Sequence, residues 1–257
     1  RLSLFKYLLL SGMKKLIRFD WAIKYLLRNK ANFDVLEAFL SHLLKEKITI
    51  ENLLESESNA DTEPSKFNRV DLKCLDSINR HIIIEIQTQR EIDYFHRILC
   101  GTSKALVESL VLGSKYINIA KVISVSILYH KQSIAENIDV IYYGTTELVG
   151  VHTKQPLIMG KANNNMDETS SDSIGPITSK NIFPEYYLIY VETFQDIINE
   201  DIDDWIYFLK HQEIKESFKS SGIRLLAEKL NRLTMPEKDR KAYEHYIDDL
   251  VRDLSVI

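Results

Sequence analysis

The chain has 257 residues, of which 45% are hydrophobic, and its 33 Lys or Arg and 37 Asp or Glu residues give a formal net charge of −4. This length fits one large domain, or one domain with a helical extension, and the apolar content is ample for a core. The charge excludes a strongly basic protein that coats DNA nonspecifically, although a local basic surface stays open. Cys74 and Cys100 form no CxxC pair, which suggests neither a zinc site nor a disulfide framework and predicts a reducing, cytoplasmic location.

The first part of the chain predicts two helices, over 19–28 and 33–45. Met13 resembles a natural start, so we expect residues 1–12 to be upstream or added sequence. No apolar run approaches the length of a membrane span. Residues 51–68 are acidic and polar, which predicts a loop before the first strand.

Residues 69–89 predict a hairpin of two strands, with turn residues at 76–80 between them. In the second strand Glu85 and Gln87 lie on the face opposite to Ile82, Ile84 and Ile86, because side chains alternate along a strand. If Leu75 pairs with His81, then Lys73 lies opposite Ile83 and Asp71 lies opposite Glu85.

This pairing would place two carboxylates side by side, since cross-strand partners have Cβ atoms roughly 4.5–5.5 Å apart. Like charges at that spacing repel and favour a cation between them, and hard divalent ions such as Mg²⁺ bind one or two carboxylates while keeping several waters. Gln87 lies on the same face. The alternatives are a solvated sheet face, or a register shifted by two residues.

After the hairpin the pattern predicts a helix over 92–112, then strands over 121–130, 139–148 and 186–191, and finally helices. Residues 159–180 are rich in Asn, Ser and Gly, which predicts a flexible loop. Arg97 could contact a phosphate, or form a surface ion pair. The residues of the helix expected to pack on the sheet are Ile92, Phe95, Leu99, Leu106 and Leu110.

The sequence Asp71, a hairpin, and then Glu85-x-Gln87 resembles the PD-(D/E)xK nuclease core. The resemblance is to the variant of Rpn-type recombination-promoting nucleases and transposase-like proteins, in which Gln replaces the last Lys of the motif. It covers most of residues 13–233, and the flanking segments that carry it are 19–24, 94–98, 113–116 and 204–209.

The resemblance implies an α/β fold with an αβββαβ core, in which helices flank a mixed central sheet. We expect a nuclease-like domain over 13–195 and a helical C-terminal extension over 196–257. The implied activity is that of a metal-dependent DNA endonuclease. A homodimer would be the simplest arrangement for cutting two strands, and no membrane partner is expected.

The resemblance also implies roles for individual residues. Asp71, Glu85 and the backbone carbonyl of Ile86 would bind Mg²⁺, with Mn²⁺ as a substitute. Gln87 would orient the attacking water, but its side chain carries no charge. Lys73 shares the face of Asp71 and could supply the missing charge.

Two acidic residues near the start of the chain are candidate accessory residues. Glu37 could assist the metal site from the first core helix, or form a capping box with Asp34. Asp20 could do the same, or cap the helix before Trp21. The alternative function is a DNA-binding or scaffold protein on the same fold, with weak or lost catalysis.

Overall fold

The structure is a computed structural model that describes residues 16–54, 71–110, 115–116, 119–130, 139–161, 176–218, 220–231 and 234–255. The predictions for residues 1–12, 55–70, 113–114 and 162–175 lie outside the described residues. Two compact units are formed: unit 1 by Arg1–Leu53, Tyr129–Val140 and Tyr190–Ile257, and unit 2 by Leu54–Leu128 and Ile141–Ile189.

The main elements follow the predicted alternation of helices and strands. In chain order they are α1 (Phe33–Leu44), β1 (Ile50–Leu53), β2 (Leu72–Asp76), β3 (His81–Gln87), α2 (Tyr94–Glu108), β4 (Val122–Leu128), β5 (Ile141–Thr145), β6 (Ile158–Lys161), β7 (Pro176–Thr178), β8 (Glu185–Tyr190), α3 (Asp201–His211), α4 (Ser221–Lys229) and α5 (Glu237–Ser255). A short helical segment, Phe19–Trp21, continues as a π-helical turn, Ala22–Leu26. Within the described ranges, no helix combines the length and the apolar character needed to cross a bilayer.

A mixed sheet with the neighbour order β2-β3-β4-β8-β5 forms the framework of unit 2. β2 and β3 are antiparallel, β3 and β4 are parallel, and β5 and β8 are antiparallel. The parallel pair β3 and β4 is connected through α2, as parallel neighbours require a crossover. All residues of β3 and β4 are buried, which explains why both strands read as nearly continuous apolar runs.

Two segments that were predicted to be loops contain short strands. β1 (Ile50–Leu53) extends over the first three residues of the stretch 51–68 that was predicted to be a loop. The predicted loop over 159–180 contains most of β6 and all of β7, which pair antiparallel through Ile158 with Thr178 and Gly160 with Ile177. Each of these three strands has only three or four residues, which is too short for a clear alternation of apolar and polar residues.

The prediction of which face of α2 packs on the sheet was largely wrong. Phe95 and Leu99 are 49% and 58% exposed, and Ile92, just before the helix, is 97% exposed. The buried face consists of Tyr94, Ile98, Thr102 and Ala105. Thr102 can be buried because its hydroxyl donates to the Ile98 carbonyl at 2.7 Å, which satisfies that hydroxyl group. From the predicted set, Leu106 does pack against the buried cluster of Ile83, Ala105 and Val122.

Unit 1 is held together by an aromatic core. Phe39 contacts Phe19 and Trp205, with ring centroids 5.4 and 5.5 Å apart. A Cβ on Gly222 would lie 2.7 Å from the Cβ of Ala38 and 2.8 Å from the Trp205 ring, so only glycine permits this close packing of α4. The C-terminal helices thus contribute to the core of unit 1.

Candidate active site

The turn of the β2–β3 hairpin fixes the alignment of the two strands. Asp76 closes it, because its carboxylate accepts from the Arg80 amide at 2.8 Å and from the Arg80 guanidinium at 2.7 Å. Asn79 adopts a φ of 63°, in the left-handed region that asparagine tolerates better than most residues. The resulting register pairs Leu75 with His81 and Lys73 with Ile83, as predicted.

Asp71 lies at the entrance to β2, one residue before the first pair of the ladder, Leu72 with Ile84. Its side-chain Oδ2 accepts a hydrogen bond of 2.7 Å from the backbone amide of Ile86. The carboxylate of Asp71 is therefore anchored to the backbone of β3, next to Glu85. Because a strand residue directs its N–H and C=O to the same side, the Ile86 carbonyl faces the side on which Asp71 lies.

Glu85 is a buried carboxylate, with 7% of its surface exposed. Burial raises the pKa of Glu85, and the neighbouring charges of Asp71 and Glu91 raise it further, while Arg97 opposes the shift. The hydrogen bond from the Ile86 amide holds Asp71 close to Glu85, which is why the charge of Asp71 is one cause of the raised pKa. Two carboxylates held this close to each other favour a cation between them.

Arg97 lies where such a cation would be attracted. Its Nη2 donates to Oε1 of Glu85 at 2.7 Å and to Oε1 of Gln87 at 3.2 Å. Its Nη1 donates to both carboxylate oxygens of Glu91, at 2.9 and 2.8 Å. The guanidinium carbon lies 5.4 Å from the centre of the Tyr94 ring, within the range of a cation–π contact.

A small pocket opens beside the Glu85–Arg97 pair. Ile83, Ile98 and Gly101 supply its apolar lining, and Thr102 and Ser124 supply hydroxyl groups. The carboxylate of Glu85 is thus buried by its neighbours, and the pocket beside it has room for about one water molecule.

The charge of Lys73 is paired with Glu108, and a role for Lys73 in the reaction stays a prediction. Lys73 is 8% exposed, and its Nζ donates to Glu108 at 2.7 Å. Glu108 in turn is 3.5 Å from Lys104. Its carboxylate therefore neutralises the charge of Lys73 within unit 2.

The two candidate accessory acids, Asp20 and Glu37, lie in unit 1, and both have local partners. Asp20 is 1% exposed, and its Oδ2 accepts from Arg18 at 2.7 Å and from the Tyr246 hydroxyl at 3.0 Å. Glu37 accepts from the Ile50 amide at 2.7 Å, which is a contact to the start of β1 instead of the predicted capping box. Accessory metal roles for these two residues stay predictions.

The comparisons identify the family of the chain. The family model described as PD-(D/E)XK nuclease family transposase matches residues 17–159, which is more than half of the chain. The chain belongs to this family. Membership confirms the predicted resemblance and the α/β fold with a mixed sheet, and it associates the chain with nuclease chemistry. Comparisons with curated proteins and with solved structures gave no match.

Members of the PD-(D/E)XK superfamily are expected to use divalent metals, so we tested whether the residues fit one. Among the described residues no group of three or more His, Cys, Asp and Glu side chains could hold an ion. Asp71 and Glu85 provide two carboxylates, and the Ile86 carbonyl adds a third oxygen on the same side. An all-oxygen set of two carboxylates and a carbonyl, completed by water, suits a hard cation such as Mg²⁺ or Mn²⁺.

Two neighbours of the site escaped sequence reasoning. Glu91 and Tyr94 both contact Arg97, and neither was a candidate. One signal was available for Tyr94, because it precedes Arg97 by three residues and side chains at that spacing share a helix face. Glu91 precedes the helix, so no periodic pattern could have connected it with Arg97.

Proposed function

We propose that the chain is a divalent-metal-dependent DNA endonuclease, with a centre formed by Asp71, Glu85 and Gln87. The observation that supports this most directly is the hydrogen bond from the Ile86 amide to Asp71, which holds one carboxylate beside the other. The pKa of Glu85 is raised, first by burial and further by the charge of Asp71, and a bound cation would relieve both effects. A structural hairpin would have no need for two adjacent acids on a largely buried face.

The proposed roles follow from the chemistry of each group. Asp71, Glu85 and the carbonyl of Ile86 would hold Mg²⁺, or Mn²⁺ as a substitute. Such an ion lowers the pKa of a bound water and withdraws charge from a phosphate oxygen when it is bound. The amide of Gln87 can donate to and accept from a water, so it can orient the nucleophile without providing charge.

The test is cleavage of supercoiled plasmid by purified protein, with Mg²⁺ or Mn²⁺ and with a chelator. Glu85→Gln should abolish nicking and linearisation, because it removes one of the two carboxylates while preserving the size of the side chain. Glu51→Gln changes the charge equally at an exposed position of β1 and serves as the matched control. Cleavage that persists in Glu85→Gln or in chelator would disprove the proposal.

A DNA-binding or scaffold role with weak or lost catalysis is the alternative. It would be supported if the wild-type protein retards DNA in a gel without cutting it under any metal condition.

The domain boundary near residue 195, a homodimer and a cytoplasmic location also stay predictions. Light scattering of the purified chain would test the homodimer by measuring the molar mass in solution.

A further inference from the structure

The proposed centre lacks a positive charge at the position where the common motif has lysine. Gln87 occupies that position and is neutral. Phosphodiester cleavage builds up negative charge, and a positioned cation is a large contributor to stabilising it. Some other residue must therefore provide the charge if the proposed function is correct.

Among the basic residues considered above, Lys73 fails this requirement. Its ammonium group is 2.7 Å from the carboxylate of Glu108, and its register partner is Ile83 instead of Glu85. The charge of Lys73 is thus balanced by Glu108, at a position in the hairpin two residues away from that of Asp71 and Glu85.

Arg97 meets the requirement. Its Nη2 bridges the carboxylate oxygen of Glu85, at 2.7 Å, and the amide oxygen of Gln87, at 3.2 Å. The guanidinium therefore lies next to the side-chain end of Gln87, where the ammonium of a motif lysine would otherwise be.

We propose that Arg97 on α2 supplies the positive charge that Gln87 lacks, and that it also competes with the divalent cation for Glu85. This inference rests on the proposed nuclease function and extends it. The competition follows because one carboxylate oxygen of Glu85 is already bound to Nη2.

Glu91 is the positioning residue of this arrangement. It binds Nη1 through both carboxylate oxygens, whereas Glu85 binds Nη2. Arg97 can therefore release Glu85 and still keep a counter-charge, with its guanidinium held over the buried Tyr94 ring. The released Nη2 is then free to donate to a phosphate oxygen, and Arg is well suited to that contact.

The first test measures binding of Mn²⁺ to the wild-type protein and to Arg97→Gln, by the loss of the free-ion electron paramagnetic resonance signal. We expect Arg97→Gln to bind Mn²⁺ roughly tenfold more tightly, because a nearby unit charge no longer repels the ion. The same variant should cleave plasmid at least about 100-fold more slowly, as expected for loss of one charge-stabilising donor. Lys104→Gln removes the same charge from a half-exposed position on α2 and should change neither quantity.

The second test places a positive charge on β3, at position 87, in the variant that lacks Arg97. In the double variant Arg97→Gln with Gln87→Lys, we expect cleavage to recover by at least about tenfold over Arg97→Gln alone. A role confined to protein stability predicts no such recovery, and it predicts that Mn²⁺ affinity and cleavage fall together.

The outcomes separate this inference from the function on which it rests. Absence of metal-dependent cleavage by the wild-type protein overturns the proposed function and the inference with it. Cleavage that survives in Arg97→Gln, or weaker Mn²⁺ binding by that variant, overturns the inference alone. Tighter binding with slower cleavage, restored by Gln87→Lys, supports both.

Discussion

The side chain of Asp71 accepts a hydrogen bond of 2.7 Å from the backbone amide of Ile86, so the acid directly before β2 is held against β3. Because of this contact, substitutions at position 71 can distinguish the role of the Asp71 charge from the role of its hydrogen bond. Asparagine at position 71 can still accept from the amide but cannot balance a cation. Alanine can do neither.

We expect Asp71→Asn to keep the free energy of unfolding within about 1 kcal/mol of wild type, whereas Asp71→Ala should lose about 1–2 kcal/mol with its hydrogen bond. Both variants should lose Mn²⁺ binding and plasmid cleavage, because both lack the carboxylate. Urea unfolding and Mn²⁺ titration measure the two effects. Normal cleavage by Asp71→Asn would show that the hydrogen bond, and not the charge, is what the site needs from this residue.

The ion pair between Arg18 and Asp20 should make unit 1 sensitive to acid. Burial raises the pKa of Asp20, but the charge and hydrogen bonds of Arg18 more than offset this, so the net pKa lies below its ordinary value. The stabilisation is therefore complete above the unfolded pKa of about 3.9 and is lost as the pH falls through the lower folded value. Asp20→Asn should lower the free energy of unfolding at pH 7 by about 3 kcal/mol, because it removes the carboxylate that balances the buried charge of Arg18.

The measurement is urea unfolding of wild type and Asp20→Asn between pH 7 and pH 3. The difference between them should start to shrink below about pH 4, where Asp20 of the unfolded wild type takes up a proton while Asp20 of the folded protein stays ionised to lower pH. A constant difference across this range would contradict the assignment. Mn²⁺ affinity should be the same in both proteins at pH 7, and a clear change would instead favour the accessory metal role predicted for Asp20.

The ion pair between Lys73 and Glu108 can be broken from either side, so two variants that lose the same contact can be compared. Lys73→Gln and Glu108→Gln should each reduce the free energy of unfolding by about 1–2 kcal/mol, a value kept low because Glu108 is 38% exposed. Cleavage per folded molecule should be equal in the two variants. If Lys73→Gln alone is slow, Lys73 contributes charge to the reaction as the sequence first suggested.

The two cysteines should differ sharply in reactivity. Cys74 is fully buried, and burial, together with the charge of Asp76, raises the pKa of its thiol to about 12. Cys100 is exposed on α2. In a thiol-labelling experiment at pH 8 we expect one equivalent to react in the native protein and a second only after unfolding. Labelling of Cys74→Ser should remain at one equivalent, and labelling of native Cys100→Ser should be close to zero.

The hairpin at the centre of the site could be predicted from the sequence, because two simple rules apply to it. Alternation assigns Glu85 and Gln87 to one face, and a turn of fixed length assigns the partners, so Lys73 opposite Ile83 follows directly. The family resemblance then supplied the chemistry that spacing alone left open.

The surroundings of the hairpin could not be predicted in the same way. The sheet-facing side of α2 includes Thr102, whose burial depends on a hydrogen bond inside the helix that no hydrophobic pattern reveals. The position of Arg97 over Gln87 depends on how α2 is rotated against β3, which is a property of packing. Glu37 likewise binds the Ile50 amide thirteen residues away, and a local capping pattern contains no information on such a contact.

The turn over residues 77–80 has a consequence for how this protein can change over evolutionary time. It contributes no group to the proposed chemistry, yet its length decides which residue faces Glu85. Deleting one residue there would shift the pairing by one and place an apolar neighbour of Asp71 opposite Glu85. Point substitutions in the turn are therefore tolerable wherever the bend is preserved. A single insertion or deletion would instead separate Asp71 from Glu85, although both residues would still be present in the sequence.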